Sequence, residues 1–192
     1  LGFMRESTEM LPCAEDLGVI PNCVPRVLND LSMLGLRIPR WARLWDQPGQ
    51  PYIPPREYPF LTVCAPSVHD TTTLRGWWEE EDDTLLFWKS LGLPGKPPAS
   101  YDPATARMVT DALLQTGSAI CVFQVQDVLA LSDEAATDDP AEERINVPGI
   151  VNEENWNYRI PISLEELQQQ NDITSSFAPM VTRRRSRAIP RS

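Results

Sequence analysis

Short apolar runs alternate with stretches of helical periodicity along most of the chain. Four runs are continuous enough to predict buried strands, and they cover residues 10–14, 34–41, 60–65 and 119–125. Strands whose two faces are both covered by helices are continuously apolar, as in parallel β/α units. The pattern therefore predicts an α/β fold, either four strands of an eight-stranded barrel or an open doubly wound sheet.

Helix signals lie between these strands and after the last of them. In chain order they are the apolar stripe 24–31, the threonine run 71–73 before the tryptophan-rich segment 74–91, the N-cap pair Asp102-Pro103, and the capping box of Ser163 and Glu166. Trp77, Trp78 and Trp88 occupy helix positions in the second segment, so we expect them in the core. The alternation of strand and helix thus extends from the first strand to the fourth.

Polar side chains follow three of the predicted strands. The pairs are Glu15-Asp16, His69-Asp70 and Gln126-Asp127. Side chains at the carboxyl ends of barrel strands project into a shared pocket, where barrel enzymes place their chemistry. Two acids at one strand end are more often a solvated turn. Because the polar pair is repeated at the end of a second strand, at His69-Asp70, we favour a functional site.

Composition narrows the classes of protein. The 192 residues have 42% hydrophobic content and 6 Trp, which is typical of a globular protein. No stretch of this sequence resembles a membrane-spanning apolar run or a signal peptide. A net charge of -10 argues against a nucleic-acid partner, because phosphate binding needs clustered cations. Since the chain starts at Leu1 without a Met, we expect a fragment of a longer protein.

The C-terminal segment differs in composition from the rest. From about residue 172 the sequence is polar and then basic, and it ends with the arginines Arg183, Arg184, Arg185, Arg187 and Arg191. Such a segment is more typical of a disordered end than of a binding patch. We therefore divide the chain into 1–171, which carries the fold, and 172–192, an expected disordered tail.

The cysteines and the single histidine give no metal-site pattern. Cys13, Cys23, Cys64 and Cys121 have no Cys-x-x-Cys spacing, and His69 cannot complete a common zinc site with them. Three of the four lie in apolar runs, so we expect reduced core cysteines in a cytoplasmic protein. A disulfide framework is the less favoured alternative.

Six short motifs in a fixed order carry a family resemblance. They are Ala14-Glu-Asp-Leu-Gly18, Gly35-Leu-Arg37, His69-Asp-Thr71 with Thr73-Leu-Arg75, Gln126-Asp127, Arg144-Ile-Asn-Val-Pro-Gly149 and Asn155-Trp-Asn-Tyr-Arg159. Together they resemble the C-terminal half of a 4-alpha-glucanotransferase, the amylomaltase or disproportionating enzyme of glycoside hydrolase family 77 in the alpha-amylase superfamily. The resemblance covers about residues 10–167, and the cysteines before Ala14 and Ala65 are similar to those of the longer, plant cytosolic type.

The resemblance implies a (β/α)8 barrel of which the four strands are strands five to eight. It implies that Glu15 is the general acid/base, that Asp70 stabilises the transition state, and that His69 hydrogen-bonds the same donor sugar. The family's nucleophile is an aspartate in an Arg-x-Asp-His motif on strand four. This sequence lacks that motif, since His69 is its only histidine, so we expect the nucleophile upstream of Leu1.

Retaining glucan transfer explains these residue types. One carboxylate attacks the anomeric carbon while a protonated carboxyl, about 5–5.5 Å away, donates to the leaving oxygen and later deprotonates the acceptor. Asp16 could raise the proton affinity of Glu15 or cap the following turn, and we favour the structural role. Trp41, and also Trp45, could stack on an acceptor sugar or simply anchor loops, and the two readings are equally weighted.

Other side chains near the strand ends have weaker assignments. Arg37 and Arg40 could line the cleft, while Asn155 and Trp156 are expected to pack the barrel rim rather than contact sugar. We predict transfer of maltosyl or longer α-1,4-glucan segments among maltose, malto-oligosaccharides and starch- or glycogen-like glucans, without metal or organic cofactor and without a membrane partner. The alternatives are a hydrolase of the same superfamily and an inactive glucan-binding protein. Without its nucleophile, the isolated chain is expected to be inactive.

Overall fold

A computed structural model describes residues 1–15, 20–80 and 83–188, with side chains through residue 184. The helices are α1 Gly2–Glu6, α2 Val24–Asp30, α3 Leu74–Glu80, α4 Thr84–Ser90, α5 Pro103–Leu114, α6 Val125–Leu129, α7 Leu164–Gln169 and α8 Asn171–Ala188. The strands are β1 Cys13–Ala14, β2 Leu34–Arg37, β3 Thr62–Cys64 and β4 Ile120–Cys121. Single 3-10 turns cover Pro55–Glu57 and Pro140–Glu143.

The four strands form one parallel sheet in the order β1-β2-β3-β4. In the register, Cys13 lies opposite Leu34, Gly35 opposite Thr62, and Val63 opposite Ile120. Because neighbouring strands follow chain order without a reversal, the sheet lacks the switch point of an open doubly wound fold. The parallel α/β prediction is confirmed, and this strand order is consistent with part of a barrel.

The strands are shorter than the apolar runs that predicted them. The run 119–125 contains only the two-residue strand β4, and its last residue already begins α6. Gln126-Asp127 therefore lies inside a helix rather than directly after a strand, and this part of the prediction was wrong. In this helix both side chains meet buried polar partners, since the Leu74 amide donates to Asp127 and the Gln126 amide donates to the Glu143 carbonyl.

The core lies between α3, α4 and α5. As predicted, Trp77, Trp78 and Trp88 are buried in it, together with Phe87 and Tyr101. The Trp78 indole donates to the Pro98 carbonyl at 3.1 Å, and the Trp88 indole donates to the Pro94 carbonyl at 3.0 Å. Each ring thus buries its apolar body while its N–H remains satisfied.

Two predicted caps of the helices are present. The Asp102 carboxylate accepts a hydrogen bond from the Thr105 amide at 2.8 Å and begins α5. Ser163 and Glu166 form the reciprocal capping box of α7. Both signals are local in sequence, which is why the sequence predicted them correctly.

The segment expected to be a disordered tail is largely helical. Helix α8 covers Asn171–Ala188 and buries Ile173 and Met180. The Phe177 ring meets Phe123 edge-on at 6.0 Å, and Arg184 donates to the Ser118 carbonyl at 2.6 Å. Residues 173, 177 and 180 form one apolar stripe, and burying it against the α5 and α6 region stabilises the helix.

The cysteines are less uniform than expected. Cys64 is buried and Cys121 is half-buried, and they lie opposite each other on β3 and β4. Cys13 and Cys23 are exposed, so placing Cys13 in the core was wrong. Over residues 1–15, 20–80 and 83–188, no helix is both long and apolar enough to cross a membrane.

Candidate functional site

The predicted site residues lie at or after the carboxyl ends of three neighbouring parallel strands. Glu15 directly follows β1 and is exposed, whereas Asp16 lies outside the described residues. Arg37 is the last residue of β2, and its guanidinium donates to the Leu36 carbonyl at 2.9 Å. His69 follows β3 in a loop. Because the strands are parallel and adjacent, all of these positions lie at the same edge of the sheet.

The histidine and the aspartate after β3 contact each other. His69 Nε2 lies 3.4 Å from Asp70 Oδ2, with side chains 51% and 37% exposed. The other carboxylate oxygen, Asp70 Oδ1, accepts a hydrogen bond from the Asn146 amide at 2.6 Å. The carboxylate is thus oriented by two neighbours and keeps a solvent-accessible side toward which a ligand can approach.

A loop that begins at Arg144 holds this pair in place. The Asn146 backbone amide donates to the His69 carbonyl at 3.1 Å, and Arg144 donates to the Asp70 carbonyl at 3.4 Å. The Trp156 amide donates to the Ile145 carbonyl at 2.7 Å. Two sequence motifs, Arg144–Gly149 and Asn155–Arg159, therefore form one unit around His69-Asp70.

Trp156 does not pack as expected. Its side chain is 65% exposed, its φ is 64°, and its ring centroid lies 5.2 Å from that of His69. A positive φ is unfavourable for a large L-residue and persists only where the surroundings enforce it. The loop thus turns sharply here and places an aromatic ring against the histidine, instead of burying it in the rim.

An open cleft of about 580 Å³ lies between Asp70, with the residues that follow it, and the loop after β2. Part of its lining is formed by Arg40, Trp41, Arg43, Trp45, Asp70 and Arg144. Trp41 is 42% exposed and Trp45 is 57% exposed, so each ring has a face that is available to a ligand. The structure therefore brings four of the predicted residues to one cleft, namely Arg40, Trp41, Trp45 and Asp70. Glu15, Arg37 and His69 are not among the residues that line it.

Two arginines fix the loop after β2. Arg43 pairs with Asp83 at 2.7 Å, donates to the Tyr52 hydroxyl, and lies 5.8 Å from the centroid of the Trp45 ring. Arg40 is buried and donates to the Thr72 carbonyl at 2.8 Å. These contacts hold the tryptophan loop against the segment that follows Asp70.

Arg40 is buried beside two carboxylates and an aromatic ring. Burial lowers the pKa of its guanidinium to about 10, with the nearby Asp127 and Glu80 carboxylates acting in the opposite direction. The guanidinium also lies 5.6 Å from the centroid of the Trp77 ring. It stays charged at neutral pH, and its contacts make it a connector between the two loops as well as a cleft-lining residue.

Asn146 is the functional candidate that sequence reasoning missed. It belongs to a quoted motif, but nothing local assigns it a role, because its partner Asp70 lies 76 positions earlier in the chain. A pattern along one element cannot reveal such a contact. Among the described residues, no group of three or more His, Cys, Asp or Glu side chains could hold a metal ion.

Comparison with known proteins identifies the family. The sequence profile of 4-alpha-glucanotransferases, glycoside hydrolase family 77, matches residues 2–165. The chain belongs to the 4-alpha-glucanotransferase family. Among curated relatives, the 4-alpha-glucanotransferase DPE2 of Oryza sativa subsp. japonica is 36% identical over 95% of the chain and 19% of that protein. The 4-alpha-glucanotransferase of Chlamydia muridarum is 36% identical over 94% of the chain and 34% of that protein.

Solved structures of the family share the fold. The amylomaltase from Streptococcus agalactiae, solved in complex with acarbose, aligns with a TM-score of 0.68 at 24% identity, over 95% of this chain and 33% of that one. The amylomaltase from Corynebacterium glutamicum aligns with a TM-score of 0.56 at 18% identity, over 91% of this chain and 28% of that one. The chain therefore spans about a third or less of the relatives it matches. Its assignment to strands five to eight stays a prediction.

Proposed function

We propose that the protein containing this chain transfers α-1,4-glucan segments from a donor glucan to an acceptor glucan by a retaining double displacement. Membership of the 4-alpha-glucanotransferase family over residues 2–165 carries this proposal. The cleft lined by Asp70 and Trp41 supports it, because it joins a carboxylate to aromatic faces, as a sugar-binding site requires. The substrates are maltose, malto-oligosaccharides and larger starch- or glycogen-like glucans, and the expected compartment is the cytoplasm.

Glu15 is the proposed general acid/base. It follows β1 directly and is exposed, so its carboxyl can meet a glycosidic oxygen at the strand ends. In the first half-reaction it donates a proton to the departing glucan, and in the second it removes the proton of the acceptor hydroxyl. The nucleophile that forms the glycosyl intermediate is an aspartate supplied by another part of the protein.

Asp70 and His69 are proposed to hold the donor sugar. Asn146 orients Asp70 Oδ1, Oδ2 lies 3.4 Å from His69 Nε2, and both side chains are partly exposed. An oriented carboxylate can accept hydrogen bonds from the donor hydroxyls, and these bonds strengthen as positive charge develops on the ring. Asp70 therefore stabilises the transition state without forming a covalent bond.

Trp41, assisted by Trp45, is proposed to stack on the acceptor sugar. Both rings are partly exposed in the same cleft as Asp70. An acceptor held there competes with water for the glycosyl intermediate, which decides between transfer and hydrolysis. Arg37 ends β2 at the same edge of the sheet and is proposed to bind sugar there, outside the cleft that Trp41 and Asp70 line. The structural role proposed for Asp16 concerns a residue outside the described part.

The decisive experiment uses the full-length protein with maltotriose. We expect longer malto-oligosaccharides, with one glucose released for each maltosyl unit transferred and no net gain of reducing ends. For Glu15→Gln we expect a fall of several orders of magnitude in kcat, with substrate binding largely kept. Glucose as the dominant product, without chain extension, would support the hydrolase instead. Binding of glucan without turnover by the wild-type protein would support an inactive binding protein.

A further inference from the structure

The pair Gln126-Asp127 has no place in the mechanism above, although it is one of the six sequence motifs. Both residues lie on α6 and are 1% exposed. Neither side chain can reach a substrate in the open cleft. Their polar atoms must therefore act on the protein itself.

Asp127 binds both ends of the loop that carries His69 and Asp70. Its Oδ1 accepts a hydrogen bond from the Leu74 amide at 2.9 Å, and its Oδ2 accepts one from the Ser67 hydroxyl. Ser67 precedes His69 by two positions, and Leu74 follows Asp70 by four. One buried carboxyl thus fixes the entry and the exit of this loop.

Gln126 binds the segment that contacts Asp70 from the other side. Its amide nitrogen donates to the Glu143 carbonyl at 3.1 Å, directly before the Arg144–Asn146 segment. The Glu143 carboxylate in turn accepts a hydrogen bond from Thr73 at 2.6 Å and pairs with Arg75 at 3.0 Å. The two segments that meet at the Asn146–Asp70 hydrogen bond are therefore anchored on neighbouring residues of one helical turn.

Burial of Asp127 is electrostatically unfavourable. Loss of solvation raises the pKa of this carboxyl, although the hydrogen bonds from Ser67 and Leu74 and the charge of Arg40 act in the opposite direction. An apolar side chain of similar size would fill the space without that cost. What the carboxyl adds is the pair of hydrogen bonds to the loop.

We propose that Gln126-Asp127 is a positioning pair that holds Asp70 and Asn146 in register for catalysis. This inference rests on the role proposed above for Asp70. The pair touches no substrate. It acts through the two loops by setting the positions of Asp70 and Asn146 relative to each other.

The test compares three variants of the full-length protein. Asp127→Ala removes both loop bonds, and we expect kcat to fall by about 100-fold with KM changed by less than about threefold, since misplacing a reacting group by 1 Å costs on this order. In Asp127→Asn, one amide atom still accepts from Leu74 and the other can donate to Ser67, so kcat should stay within about threefold of wild type. Asp102→Ala is the matched control, because it also removes a carboxylate from a helix N-terminus but does not contact the loop.

A milder variant and a second measurement keep the test decisive if Asp127→Ala does not fold. Ser67→Ala removes one of the two bonds and should lower kcat about tenfold. Hydrogen exchange of backbone amides in 67–74 should become faster in Asp127→Ala and Ser67→Ala and stay unchanged in Asp102→Ala. Unchanged kcat and exchange in the loop variants, or equal losses of kcat in Asp102→Ala, would overturn the proposal. Absence of glucan transfer in the wild type would instead refute the proposed function. In that case, faster hydrogen exchange of 67–74 in Asp127→Ala and Ser67→Ala would still support the positioning role of Gln126-Asp127.

Discussion

The contact between Asn146 and Asp70 offers the sharpest test of the donor site. Asn146→Ala removes the 2.6 Å hydrogen bond to Asp70 Oδ1 and leaves that oxygen to water. A hydrogen bond to a charged group contributes about 1.5–3 kcal/mol. The Asp70 side chain is 37% exposed, so water replaces part of the loss and the lower end of that range applies.

The expected kinetic effect follows from this magnitude. A loss of about 1.5 kcal/mol in transition-state stabilisation corresponds to about a tenfold fall in kcat/KM. The assay is initial-rate transfer from maltotriose by the full-length protein, with the free energy of unfolding measured in parallel. Asn157→Ala is the control, because Asn157 lies in the same loop and its side-chain amide donates to the Glu153 carbonyl at 3.1 Å instead of to Asp70.

A second substitution at position 146 tests whether Asp70 needs a neutral hydrogen-bond donor beside it instead of a second negative charge. Asn146→Asp places a carboxyl within hydrogen-bonding distance of Asp70, and two carboxyls this close retain a shared proton to higher pH than one alone. We therefore expect less activity than wild type at neutral pH and partial recovery in acid, where the introduced carboxyl can donate as the amide did.

If Asn146→Ala kept kcat/KM within about twofold of wild type, the orienting role of Asn146 would be refuted.

Three further outcomes are expected. Burial raises the pKa of Asp127 and of Glu143, so the folded state binds more protons than the unfolded state, and the stability that these two groups contribute below about pH 4 declines as the pH rises. Asp127→Asn should therefore gain stability relative to wild type between about pH 4 and pH 7, measured by urea unfolding. If the stabilities of the two proteins changed in parallel with pH, this prediction would be contradicted. Trp41→Ala should weaken acceptor binding by about 0.5–1.5 kcal/mol and raise the proportion of hydrolysis, measured as new reducing ends against longer products, whereas an unchanged ratio would remove Trp41 from the acceptor site. Ile173→Asp should detach α8 and lower the free energy of unfolding by more than about 2 kcal/mol, and proteolysis of the C-terminal segment at the wild-type rate would argue against its packing.

The local features of this protein could be predicted from the sequence. The four parallel strands follow from continuous apolar runs. The cap at Asp102 follows from the adjacent Pro103, and the cap at Ser163 follows from Glu166 three positions later. The buried tryptophans of α3 and α4 follow from their helical spacing. In each case the interacting residues are close in sequence or share one face of one element, so periodicity contains the information.

Apolar periodicity was also present where the prediction failed. Residues 173, 177 and 180 have the spacing of a buried helical stripe, but the surrounding polar and basic composition favoured a disordered tail. The helix is stabilised by packing on distant elements, through contacts such as that of Phe177 with Phe123. A polar composition indicates that a segment buries too little apolar surface by itself to offset the entropy lost on ordering. Only packing against other elements supplies the burial that compensates for this loss.

The sequence by itself determined which polar residues follow which strand, including Glu15 after β1 and His69-Asp70 after β3. Only the tertiary structure decided how they are held. The bond from Asn146 to Asp70 joins residues 76 positions apart, and the bond from Leu74 to Asp127 joins residues 53 positions apart. Side-chain periodicity fixes the face on which a residue lies within its own element, whereas such partners are set by how the loops of separate β/α units meet at one edge of the sheet.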